Sequence, residues 1–244
     1  MKYKHRIEHS VGYSESDKEI KLNIVNALRI VEDTNTEFFG IIKSDNVINK
    51  TKYNSVWVIT KTKMHFNKFP KWRDKFFQEC YIVQSKAIRM CIENVSRDEE
   101  GNVLYTVQQE NCPIDIKNRK IRKISTISYP NDVEEIEEVD KKPFSRLNTV
   151  FSEEDKVYEQ KVLATDIDYS NHTNNVMYVR FLINAFPSDY WVDRQIEDLE
   201  IHYIKETREG AILSIYKKEI EDGQVEFLIK DKDCEVIRAK IAFQ

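Results

Sequence analysis

The chain has 244 residues, of which 41% are hydrophobic and 33% charged. Its 38 basic side chains against 42 acidic ones leave a net charge of −4, too small for a disordered polyelectrolyte and of the wrong sign for a nucleic-acid binder. Only five glycines occur, Gly12, Gly40, Gly101, Gly210 and Gly223, and no two stand closer than 13 positions, which excludes a phosphate loop that needs several glycines in one turn.

The length is roughly 1.6 times a typical domain of about 150 residues, so one large unit or two small ones are expected. Residues 1–14 are polar and charged, without the apolar core of a signal segment. No apolar run reaches the roughly 18 residues that a bilayer demands, so no membrane insertion is expected. Cys80, Cys91, Cys112 and Cys234 are too scattered for a zinc pattern and too few for a disulfide scaffold. Free thiols and a cytoplasmic location are the expectation.

In chain order, Ile24, Val25, Leu28, Val31 and Phe38 recur at helical spacing, with Asn23 as N-cap and Gly40 as a stop signal. Residues 53–66 follow as a strand carrying the alternation Val56, Val58, Thr60, then strands at 76–83, 88–95 and 103–109. Asp98-Glu99-Glu100-Gly101-Asn102 reads as a hairpin turn before the last of these. The second half repeats the plan. Val176, Val179, Leu182, Ile183 and Phe186 form an apolar stripe capped near Asn174 or Asn175, and Pro187 stops it. Strands at 199–204, 211–219, 225–230 and 236–243 follow, with Glu221-Asp222-Gly223-Gln224 as another hairpin turn. One helix followed by several long strands is an α+β unit whose sheet wraps the helix.

Between the halves lie two charge blocks. Residues 117–123 hold five basic side chains in seven, and residues 132–140 hold six acidic ones in nine, with Pro130 and Pro143 as punctuation. They read either as a solvated connector with mutually attracting blocks or as a docking element for an acidic partner. The division expected is 1–125 for the first unit, 126–150 for the connector and 151–244 for the second unit.

The chemistry concentrates in Asp166-Ile167-Asp168-Tyr169-Ser170-Asn171-His172-Thr173-Asn174-Asn175, directly before the second helix. Asp, Ser and Asn at this place are ordinary capping residues. A helix N-terminus also carries about half a positive charge and unpaired N–H groups, which suit an oxyanion. The first unit has Tyr13-Ser14-Glu15-Ser16-Asp17 at the matching place, without a histidine partner. His5, His9, His65 and His202 form no ligand-spaced set, so no metal is expected. His202 stands four positions before Glu206, and on a strand both would share one face, as lining of the site or as ordinary sheet residues.

The stretch resembles the acyl-[acyl-carrier-protein] thioesterase family of plants and bacteria. The family's signature is Asp-x-Asp-x-Asn-x-His-x-Asn-Asn, and Asp166, Asp168, Ser170, His172, Asn174 and Asn175 match it at five of six positions. Ser170 stands where the family has asparagine. Tyr203-Ile204-Lys205-Glu206-Thr207 resembles the family's Tyr-x-x-Glu-Cys strand, 34 positions after His172, with Thr207 for the cysteine. Val56-Trp57-Val58-Ile59 and Phe69-Pro70-Lys71-Trp72-Arg73-Asp74 resemble first-unit motifs of the same family.

The resemblance implies a double hotdog, two tandem hotdog units each with a central helix wrapped by an antiparallel sheet, as monomer or homodimer. It implies hydrolysis of acyl-[acyl-carrier-protein] to free fatty acid and holo carrier protein, without a cofactor beyond the substrate's own phosphopantetheine arm. The first unit would hold the acyl chain, with Trp57, Phe66 and Trp72 as tunnel candidates. The second would carry the catalytic Asp168, His172 and Glu206. Asp168 is nucleophile or base, Glu206 the other candidate base, and His172 an oxyanion or proton-shuttling group. Ser170, Asn174 and Asn175 are supporting residues, the asparagines chiefly as caps. Lys117, Arg119, Lys120, Arg122 and Lys123, with Lys71, Arg73 and Lys75, suit docking of the acidic acyl carrier protein. Hydrolysis of an acyl-CoA or aromatic-CoA thioester and a non-catalytic acyl-binding role are the alternatives.

Overall fold

A computed structural model describes residues 3–191, 194–221 and 223–244; Asp222 of the expected second hairpin lies outside them. The chain divides into two compact units, Met1–Lys142 and Pro143–Gln244.

In the first unit, strand β1 (Lys4–Ser10) precedes helices α1 (Ile24–Ile41) and α2 (Asn46–Tyr53). Strands β2 (Ser55–Phe66), β3 (Lys75–Lys86), β4 (Arg89–Arg97) and β5 (Val103–Asp115) follow. They form an antiparallel sheet in the order β1-β3-β4-β5-β2. The Asn23 side chain caps α1 by accepting the Asn26 N–H at 2.9 Å. Ile24, Ala27, Leu28, Val31 and Phe38 face inward, the stripe expected from their spacing. Gly40 does not end the helix; α1 runs one residue further, to Ile41.

Two elements of this unit escape the sequence pattern. β1 is Lys-His-Arg-Ile-Glu-His-Ser, an edge strand with a single aliphatic side chain, so it carries no hydrophobic alternation. α2 is capped by Asp45, which accepts the Ile48 N–H at 2.9 Å, and closed by Asn54 in the left-handed region at φ 51°. Its eight residues are too short and too polar to show a period.

Between α1 and the sheet the interior is partly polar. Asn35 donates to Gln109 at 2.7 Å and accepts from Asn94 at 2.8 Å. Gln78 donates to Thr34 at 2.8 Å and accepts from Ser96 and Tyr105, each at 3.1 Å. Phe38, Trp57, Cys80, Ile82, Met90 and Ile92 form the adjoining apolar cluster, joined by Ile124 and Ile127.

The unit boundary falls at Lys142, and the expected connector 126–150 is therefore divided. Its first part is bound to the first unit by buried chemistry. Ile136 packs on the cluster of Tyr81, Val83 and Val95, and its N–H donates to Ile82 O at 2.9 Å. The buried Glu93 carboxylate accepts from Val139 N at 2.8 Å, Asp140 N at 2.9 Å, Tyr81 OH at 2.9 Å and Gln108 at 3.1 Å. Lys63 pairs with Asp140 at 2.9 Å, both nearly buried. Acidic composition alone suggested a solvated linker; four donors converging on Glu93 make this segment a strap.

The second unit contains β6 (Lys156–Lys161), α3 (Asn175–Ile183), β7 (Ile196–Tyr203), β8 (Ile212–Glu221), β9 (Gln224–Asp231) and β10 (Cys234–Phe243). Its sheet is antiparallel in the order β7-β10-β9-β8-β6. α3 buries Val176, Met177, Tyr178, Val179, Phe181 and Leu182, so it is apolar nearly all round and forms the core of the unit. It ends at Ile183, four residues before Pro187. Phe186 continues the core beyond the helix, 5.7 Å from each of Phe227 and Phe243.

Glu93→Ala leaves two backbone N–H groups, the Tyr81 hydroxyl and Gln108 without their shared acceptor. The expected loss is about 3 kcal/mol in urea denaturation, with faster proteolysis within residues 129–142. An unchanged midpoint would mean that the isoleucines and the Lys63–Asp140 pair hold the strap without Glu93.

Candidate active site

The site is built from a tight turn that leads into α3. At its base Asp166 is fully buried. One carboxylate oxygen accepts the Leu163 N–H at 2.9 Å, and the other takes the Arg180 guanidinium from α3. Asn174 N donates to Asp166 O at 2.8 Å. Ile167 and Thr173 then pair as an antiparallel bridge, leaving residues 168–172 as the tip. Asp168 Oδ1 accepts the N–H of Ser170 at 2.8 Å and of His172 at 3.3 Å, while Asp168 N donates to His172 O at 2.9 Å. Asn171 takes the left-handed conformation at φ 63°, which asparagine tolerates. Asn174 is the N-cap, its side chain accepting the Val176 N–H at 2.8 Å, and Asn175 is the first helical residue.

Glu206 reaches this turn from a loop, not from the strand expected. β7 ends at Tyr203, because Ile204 and Lys205 both donate to Val236 O and the chain then turns toward Thr173. Thr207 O accepts the Thr173 N–H at 2.8 Å. The Thr207 hydroxyl lies 2.7 Å from the Thr173 hydroxyl and 2.8 Å from the Tyr178 hydroxyl, and all three residues are buried. Burial pushes the Tyr178 hydroxyl above its usual pKa. Beside this cluster, His172 Nε2 stands 3.1 Å from Glu206 Oε2, with side-chain exposures of 18% and 38%. The pair is thus largely screened on the imidazole side and open to water on the carboxylate side.

The structure therefore brings Asp168, His172, Glu206, Ser170, Asn174 and Asn175 to one helix N-terminus. Ser170 is exposed and contributes its backbone N–H to the turn. His202 instead pairs with Glu200 at 2.7 Å, and Glu200 also accepts the Ser145 N–H, an arrangement belonging to the sheet. With the strand over at Tyr203, no shared face links His202 to Glu206. Asp166 and Thr207 stood in the matched motifs without a holding role, whereas Arg180, Thr173 and Tyr178, which also hold the site, carry no spacing signal. Arg180 stands 14 positions from its partner, and the hydroxyls converge only through the fold.

In the first unit, Trp57 and Phe66 are buried. The Trp57 indole N–H donates to Ser44 O at 3.0 Å, and Phe66 stacks on Phe69 at 4.1 Å. Trp72 lies at the surface, edge-on to Tyr13 at 5.8 Å and beneath the Arg73 guanidinium at 4.3 Å. Lys117, Arg119, Lys120 and Lys123 are exposed, while Arg122 donates to the carbonyls of Tyr53 and Thr126.

The first unit also holds a backbone copy of the turn before α3. Asp17 Oδ1 accepts the N–H of Glu19 at 2.8 Å and of Lys21 at 3.0 Å, Asp17 N donates to Lys21 O, and Ser16 bridges to Leu22. Asn23, the cap of α1, donates its N–H to Glu15 O. Ile20 matches Asn171 at φ 61°, a costly angle for a β-branched residue. Lys21 stands at the histidine place, paired with Glu19 at 2.9 Å. Leu22 N donates to Pro70 O as Thr173 N does to Thr207 O, so Phe69 stands at the glutamate place. Contrary to the sequence expectation, Glu15 does meet a histidine: β1 brings His9 within 2.9 Å. Partial burial works to raise the Glu15 carboxyl, but the Gly12 N–H and His9 outweigh it and hold its pKa down.

Comparison with known proteins gives this geometry a family. The model of the acyl-ACP thioesterase N-terminal domain matches residues 2–128, and that of the C-terminal domain matches residues 150–244. An acyl-[acyl-carrier-protein] hydrolase of Cuphea viscosissima is 24% identical over 178 residues, covering 66% of this chain and 40% of the relative. A palmitoyl-acyl carrier protein thioesterase of Arabidopsis thaliana is 25% identical over 172 residues, covering 66% and 41%. The chain thus spans less than half the length of these curated relatives. An acyl-ACP thioesterase of Bacteroides thetaiotaomicron superposes with a TM-score of 0.88 at 16% identity, covering 99% of this chain and 98% of that one. The 12:0-ACP thioesterase of Umbellularia californica does so with 0.88 at 17% identity, covering 99% and 97%. The α+β double hotdog expected from the sequence is the fold of this protein.

Asp166→Ala strands Arg180 and the Leu163 N–H, and is expected to cost about 3–5 kcal/mol in urea denaturation. A loss below about 1 kcal/mol would mean that Asp166 does not anchor the turn.

Proposed function

We propose, since the chain belongs to the acyl-ACP thioesterase family, that it hydrolyses the thioester of acyl-[acyl-carrier-protein] to free fatty acid and holo carrier protein. The observation that carries this reading is the 3.1 Å contact of His172 with Glu206 at the start of α3. Glu206 holds water at its exposed carboxylate. As the water oxygen attacks the thioester carbonyl carbon, its proton passes to Glu206. The partial positive charge at the start of α3 stabilises the oxyanion. When the carbon–sulfur bond breaks, His172 receives the proton across the contact and delivers it to the departing sulfur. Asp168, tied into the turn through Oδ1, aims His172. The direct-attack route would instead pass through an anhydride on Asp168. Acid–base chemistry of this kind needs no cofactor.

The first unit holds the acyl chain in this reading, with Trp57 and Phe66 on its inner surface. Lys117, Arg119, Lys120 and Lys123 meet the acidic carrier protein. Among the described residues no helix is long and apolar enough to cross a membrane. Cys80, Cys91, Cys112 and Cys234 are free, and burial pushes the Cys91 thiol up to about 12, so it stays a thiol; a cytoplasmic location suits them.

Thiol release from carrier-protein thioesters of graded chain length, with the matching CoA esters alongside, tests the reading. No release from any substrate sinks it, and faster turnover of CoA esters removes the carrier protein as partner. His172→Ala and Glu206→Gln are each expected to lower kcat by about 10²-fold or more. Reversing charge at Lys117, Lys120 and Lys123 should lower kcat/KM for the carrier thioester at low salt only, leaving CoA esters unaffected. An equal effect on both substrates would leave the block without a docking role.

A further inference from the structure

We infer that Thr207 is a positioning residue that sets the His172–Glu206 contact through its hydroxyl; this rests on the reading of those two side chains as the reacting pair. Glu206 belongs to a loop whose neighbours Ile204, Lys205, Arg208, Glu209 and Gly210 are all exposed, and Thr207 alone among them is buried. An exposed loop does not by itself hold a carboxylate to the few tenths of an ångström that proton transfer requires. Thr207 supplies the hold. Its carbonyl accepts the Thr173 N–H at 2.8 Å, and its hydroxyl meets those of Thr173 and Tyr178 at 2.7 and 2.8 Å. One hydroxyl has one hydrogen and two lone pairs, so Thr207 can serve both neighbours at once.

Thr173 follows His172 directly, as Thr207 follows Glu206. In each pair the threonine is buried while the preceding side chain stays accessible, His172 partly and Glu206 more so. The buried Thr173–Thr207 link and the outward His172–Glu206 contact are therefore two faces of one crossing of the same two segments.

The first unit shows which part of this is generic. There the main-chain link survives as Leu22 N to Pro70 O at 2.8 Å. Proline has no hydroxyl, and Phe69 replaces the carboxylate. The backbone crossing belongs to both units. The hydroxyl link is found beside the histidine–glutamate pair.

The test uses Thr207→Val, which keeps the shape and removes both hydroxyl contacts. With carrier-protein thioesters, kcat is expected to fall about 10- to 100-fold with KM within about twofold, since a small misplacement penalises the reacting geometry more than binding. Thr207→Ser should recover most of the rate. The second readout is independent of turnover. The His172 imidazole resonance in the NMR spectrum should move in Thr207→Val and return in Thr207→Ser. An unchanged kcat with an unmoved resonance overturns the inference. If the wild-type chain releases no thiol, the thioesterase reading falls on its own and the resonance decides: moved supports the positioning role, unmoved overturns it. If Thr207→Val does not fold, Tyr178→Phe removes the outer link alone and is judged by the same readouts.

Discussion

A carboxylate with no access to water must be answered inside the protein, and Asp166 is answered by Arg180 on α3 and by the Leu163 N–H. This closure fastens a turn of ten residues to a helix that is itself the core of its unit. Once the base is fastened, the bridge of Ile167 with Thr173 confines residues 168–172 to a tight tip, and Asp168 gathers two N–H groups there. His172 has then little freedom left. The remaining partner, Glu206, arrives on a loop fastened to the same turn by Thr207. His172 and Glu206 are each followed by a buried threonine.

The two units show how one backbone serves two ends. The turn before α1 and the turn before α3 share the aspartate that accepts two N–H groups, the left-handed residue near φ 60°, the bridge and the asparagine cap. Only the side chains differ. Lys21 and Phe69 in the first unit stand where His172 and Glu206 stand in the second. The turn itself is therefore a device for starting a sheet-wrapped helix, and capping explains most of its polar residues. What sets the second unit apart is the histidine–glutamate contact on that device and the hydroxyl link beside it.

The acidic segment after β5 makes a related point about charge. Six acidic residues in nine predict solvation when read as composition. Three isoleucines at 124, 127 and 136 and a buried acceptor at Glu93 decide otherwise, because backbone N–H groups turn inward and Asp140 is matched by Lys63 while most of the other acidic side chains remain outside. Glu93 itself sits on a strand 46 residues before its Val139 partner, so no local pattern marks the strap.

What the sequence determined by itself was local and periodic. Helical spacing placed α1 and α3, and strand patterns placed eight of the strands, seven to within three residues and β5 six residues short of its end. These follow from short-range sterics and hydrogen bonding, which neighbouring residues encode; the Asp-x-Asp-x-Ser-x-His-x-Asn-Asn run pointed to the candidate site through its resemblance to a family signature. β1, β6 and α2 were missed because a polar edge strand and a two-turn helix leave no hydrophobic period. The tertiary structure alone decided how the site is held. The Asp166–Arg180 pair, the Thr173–Thr207–Tyr178 hydroxyls and the end of β7 short of Glu206 all depend on segments 14 to 34 positions apart being brought together. Such contacts are made by packing a core, and no residue's neighbours in sequence record which distant group will face it.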